Sequence, residues 1–122
     1  MSIYILFLVG FGGCLGSIFR YLLSTILISF SPWVTVVINV AGGFLIGFVY
    51  RYVEDSSSSE QMRAFWIIGV CGGFTTFSAF GLDFFNLVRN DQILLGMLYI
   101  CISVVCTILA VFLGIRCFQF LS

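Results

Sequence analysis

Uncharged hydrogen-bond donors recur along this chain where the surrounding sequence is apolar. Thr35 and Asn39, in "WVTVVINVAGG", lie four apart and share one face of a helix. Tyr99, Ser103 and Thr107 fall at i, i+4 and i+8 and form one hydroxyl stripe. Ser78 follows the stretch "GGFTTF", and Phe77 and Phe80 sit three apart beside it. Asn, Ser, Thr and Tyr all donate hydrogen bonds while carrying no charge. A phenyl edge is the positive part of the ring quadrupole. Neutral donors and ring edges together make a path for an anion, best suited to a small one that demands hydrogen bonds. Each polar side chain could equally be interhelical glue, worth about 0.6 kcal/mol apiece. Nothing resembles a cation filter built from acidic rings.

The elements that must position these groups are membrane helices. The 122 residues are 61% apolar and 8% charged, with mean hydropathy +1.22. A soluble domain carries roughly a quarter charged residues. Four hydrophobic segments stand out: Ile3 to Ile28, Trp33 to Tyr50, Ala64 to Leu87 and Ile93 to Phe118. Each meets the length of about 20 residues that a spanning helix needs. "SFSPW" and "VRNDQ" read as tight turns, and "RYVEDSSSSEQMR" is the one polar loop of any length. No linker divides the chain, so residues 1–122 read as a single four-helix transmembrane domain. The first segment lacks a basic leader and is expected to be a retained helix.

Charge excludes several function classes. The net charge is zero, which argues against nucleic acid. There is no Lys and no His, and the five cysteines form no CxxC pair, so a side-chain metal site or disulfide framework is not expected. No constellation suits acid–base or nucleophilic work, so the chain is not expected to be an enzyme. With both termini and the long loop on one side, that side holds Arg51, Arg63 and Arg116. The other holds Arg89, joined by Arg20 if it snorkels outward. So small a bias lets a chain insert in both orientations, and two opposed copies could pair about a two-fold axis.

Gly12 and Gly16, Gly43 and Gly47, and Gly69 and Gly73 are each four apart, a spacing that lets helix backbones approach closely in lipid. Gly72-Gly73-Phe74-Thr75-Thr76 goes further. Glycines beside β-branched threonines at mid-span predict either a broken helix, tolerated where backbone is buried in protein or lines a cavity, or a continuous helix whose threonines bond back to their own carbonyls.

The sequence resembles the Fluc (CrcB) fluoride channels of microorganisms over nearly its whole length. "GGCLGSIFRY" (Gly12 to Tyr21) is similar to the family's GGxxGxxxRY, "NVAGGFLIG" (Asn39 to Gly47) to NxxGxFxxG, and "GGFTTFSAF" (Gly72 to Phe80) to GxxTTFSTF. Ala79 stands where the family usually has a hydroxyl. The resemblance implies an all-α integral protein of the cell membrane, its third helix broken at its centre, assembled as an antiparallel dual-topology homodimer with two pores. It implies passive export of fluoride along Asn39, Phe77, Phe80, Ser78, Tyr99, Ser103 and Thr107, with Arg20 at a vestibule; Thr35 joins that path on its spacing from Asn39 alone. It also implies a structural Na⁺ at the dimer interface, held by the backbone carbonyls of Gly72 and Thr75. A rival is a small dual-topology multidrug exporter. That class needs an intramembrane carboxylate in its first helix, and here no acid precedes Glu54. Asp83, the only acid inside the four segments, lies near the end of the third, where it can reach the membrane interface.

Overall fold

In a bilayer the backbone must satisfy its own polar groups, so long apolar runs fold as helices. The computed structural model describes residues 2–122 and bears this out. Helix α1 spans Ile3–Ile26, α2 Trp33–Glu54 and α5 Ile93–Leu121. The third span comes in two pieces. Its first half, α3 (59–74), opens with a helical turn Ser59–Met62, continues as a π-helix Arg63–Cys71 and closes with Gly72–Phe74. Its second half, α4, is Phe77–Arg89. All four spans are long and apolar enough to cross a membrane.

Three of the four spans reach past the boundaries expected. Residues 51–54 continue α2, where Val53 is buried and Arg51 pairs along the helix with Glu54 at 2.9 Å and with Asp55 at 3.6 Å. The long loop therefore shrinks to residues 55–58. Helix α1 ends slightly early, at Ile26, and a 3₁₀ turn at Ile28–Phe30 leads to Pro32. The "VRNDQ" turn is as tight as expected. Asp91 takes a left-handed φ of 58°, a region Asp tolerates, and the Gln92 N–H returns to the Leu87 carbonyl at 2.9 Å.

The spans pair through glycine seams. Helix α1 lies along α3, and α2 lies along α5. A methyl group at Gly16 would strike the Val70 carbonyl, and one at Gly73 would strike Gly13. Across the other seam, a methyl at Gly47 would strike the Val111 carbonyl. Backbones this close leave no room for any side chain. This assigns Gly73 a packing role: it lies in helical backbone and seats α3 on α1.

Candidate functional site

The break lies at Thr75 and Thr76, just past the glycines. Both are extended, with φ/ψ of −77°/157° and −152°/120°. Of the two alternatives read from the sequence, the broken helix holds and the continuous one does not, although one threonine does bond back. Thr75 bonds back to the Cys71 carbonyl through its N–H at 2.9 Å and its hydroxyl at 2.8 Å, and the helix ends there. Thr76 then starts α4 as its N-cap, its hydroxyl accepting from the Ala79 N–H at 3.1 Å. Such a cap contributes about 1 kcal/mol.

Two side chains from neighbouring spans hold the broken backbone. Asn39 on α2 clamps Thr76 at two points. Its Oδ1 accepts the Thr76 N–H at 2.8 Å, and its Nδ2 donates to the Thr76 carbonyl at 3.0 Å. In an unbroken helix that N–H would bond the Gly72 carbonyl, so the clamp takes away Gly72's partner. Arg20 on α1 donates from Nε to the Gly73 carbonyl at 3.1 Å. The sequence allowed Arg20 to snorkel outward; it instead turns inward and satisfies a carbonyl that the break frees, at a helix C-terminus where a cation is favoured.

Around this break lie two concavities. One, of about 350 Å³, is lined by Asn39, Thr75, Thr76, Phe77, Phe80, Ser103 and Thr107, with aliphatic residues between them. The other, of about 270 Å³, contains Arg20, Ser17, Ser24, Thr35, Thr76 and Ala79. Thr35 and Asn39, expected on one face, thus open onto different hollows, with Thr76 on both. Ser78 is exposed, and its hydroxyl lies 3.2 Å from that of Thr76.

Phe77 and Phe80 sit together as expected, ring centroids 5.4 Å apart at 33°. Phe77 is 83% exposed on this single chain. The hydroxyl stripe is divided. Ser103 and Thr107 line the larger groove, and the Ser103 hydroxyl is buried without a protein partner. Tyr99 is fully buried, and its hydroxyl donates to Asp83 Oδ2 at 3.0 Å. Asp83 is thus half-buried and turned toward Tyr99 on α5. Its spacing of three from Phe80, on one helical face, was the signal available for that placement.

Four helices long and apolar enough to cross a membrane make this a multi-pass membrane protein, and the polar groups gathered at the break equip its interior for hydrogen bonding. The chain belongs to the CrcB-like protein family, Camphor Resistance (CrcB), which it matches over residues 7–115. It is 45% identical over 113 residues to a Rhizobium meliloti protein named fluoride-specific ion channel FluC, covering 88% of this chain and 90% of that one. Proteins of the same name from Methylobacterium radiotolerans and Flavobacterium psychrophilum are 42% identical over 120 residues and 38% identical over 115. Those alignments cover 93% and 90% of this chain, and 84% and 93% of the relatives.

Proposed function

We propose that this protein is a fluoride-specific ion channel, not an enzyme, through which fluoride leaves the cell passively. The observation that carries the reading is the likeness to relatives of that name along almost the whole chain. The larger groove supports it. Asn39, Ser103 and Thr107 offer neutral donors, and Phe77 and Phe80 offer ring edges. Asn39 spends one N–H on Thr76, and its amide carries a second for an ion. Ser78 and Thr76 extend the donors past the rings. Tyr99 stands behind Phe80, while Arg20 and Thr35 mark the smaller hollow as an entry that favours anions.

The working unit in this reading is two copies in opposite orientations in the cell membrane. An exposed Phe77 and a groove open along one side are what a second copy would cover. The structural Na⁺ belongs to the same reading. The Gly72 carbonyl has lost its helical donor to Asn39, and Thr75 is extended, so its carbonyl lies outside the helical ladder. Carbonyl oxygens are the ligands a hard cation takes. Sodium there would supply the positive charge that unpaired carbonyls need at mid-membrane.

Growth tests this function. Expression in a bacterial strain that lacks its own fluoride exporter is expected to restore growth in millimolar-range fluoride. Growth no better than that of the empty-vector strain, with the protein present in the membrane, would overturn it.

A further inference from the structure

Asp83 is a carboxylate within a membrane helix, where ionisable groups are costly and are kept for a partner or a function. Along an anion path it would repel the cargo, so attraction of fluoride does not explain it. Among the described residues the ion pairs are those of Arg51, and none involves Asp83. Its partner is the Tyr99 hydroxyl, at 3.0 Å.

Tyr99 is gripped from three sides. Phe80 stacks on its ring at 5.4 Å and 18°. Trp33 of α2 meets it edge-on at 5.8 Å and 67°. Asp83 holds its hydroxyl. Phe80 and Asp83 are three apart on α4 and so present the same face. One residue of α5 thereby engages α4 at two successive points. Phe77, in turn, rests on Phe80.

This grip matters because α4 is only 13 residues long and is cut from α3 by extended backbone. The break cannot transmit the rotational setting of α3, so the azimuth of α4 must be fixed from the side. Asn39 fixes its N-cap, Thr76. The Tyr99 ring fixes the face that carries Phe80, and rotation of α4 would swing Phe77 and Phe80 out of the groove.

We propose that Asp83 is a positioning residue for the fluoride path: by accepting the Tyr99 hydroxyl it locks the ring that backs Phe80, and so sets the orientation of both phenylalanines. Tyr99 then acts as a brace, and Ser103 and Thr107 supply the hydroxyls that face the groove. The proposal rests on the fluoride reading above.

The test is fluoride efflux from vesicles containing the purified full-length protein. Asp83→Leu and Tyr99→Phe each remove the bond and are expected to lower flux roughly tenfold, the order set by losing a hydrogen bond to a charged group. The double variant should be no slower than either single one, because both break the same contact. Asp83→Asn keeps an oxygen that accepts the hydroxyl and is expected to restore flux to within about threefold of wild type. A conducting wild type with Asp83→Asn as slow as Asp83→Leu, or with losses that multiply in the double variant, overturns this inference alone. If Asp83→Leu fails to fold, Asp83→Asn and Tyr99→Phe decide, and loss in the first or retention in the second overturns it. A wild type that passes no fluoride removes the functional reading and this inference with it.

Discussion

Asn39 does more for the backbone than for any side chain, because both its amide oxygen and its amide nitrogen are bonded to Thr76. Asn39→Asp replaces the donor with a second acceptor. A carboxylate oxygen would then face the Thr76 carbonyl, and a negative charge would stand beside an anion path. We expect flux to be blocked, as measured by fluoride efflux; a variant conducting at wild-type rate near neutral pH would contradict both the clamp and the donor role. Phe80→Ile keeps bulk but removes the ring edge and the face that stacks on Tyr99. It should lose nearly all flux while its elution in size-exclusion chromatography stays that of wild type; full flux would remove the ring from the path. The residue types at these positions were legible in the sequence, since four-residue spacing alone places Asn39 and aligns Ser103 with Thr107. Their bonding was not. Whether a Tyr hydroxyl points at a groove or at Asp83 depends on how α4 sits on α5, and spacing within one helix says nothing of that.

The third span shows how two local preferences divide the work. Glycines give close approach, and Gly73 does so against Gly13. Threonines end the helix, one by bonding back and the other by capping forward. The sequence marked the stretch where the break falls, because Gly and Thr are both modest helix formers, but left a continuous helix open as well. It could not separate their roles, because the deciding partner of Thr76 comes from α2, 37 residues earlier. The seams make their own prediction. Gly16→Ala drives a methyl into the Val70 carbonyl, and backbone cannot step aside cheaply. Overpacking of this kind costs about 1–3 kcal/mol, so thermal melting in detergent should fall clearly. Gly10→Ala on the same helix meets nothing within 4 Å and should melt at or above the wild-type temperature. Equal effects of the two substitutions would mean that the α1–α3 seam is looser than described.

At the scale of the whole molecule, the four spans were readable because lipid leaves an apolar chain few choices. Their pairing, α1 with α3 and α2 with α5, was not, since small-residue spacing marks a seam without naming its partner. The proposed antiparallel pairing rests on charge and shape together. Adding two or three Lys to residues 55–58 should bias insertion to one orientation, since basic residues in short loops set direction. Such a chain should lose fluoride transport alone and regain it with an oppositely biased copy; full transport by the single biased chain would rule out antiparallel pairing. The central claim is the passage of fluoride, and the most direct measurement is anion efflux from liposomes containing only this protein, read with ion-selective electrodes. Fluoride should leave rapidly once the membrane potential is released by a potassium ionophore, while chloride from matched vesicles should stay. No fluoride efflux beyond that of protein-free vesicles, or chloride leaving as fast as fluoride, would contradict the account.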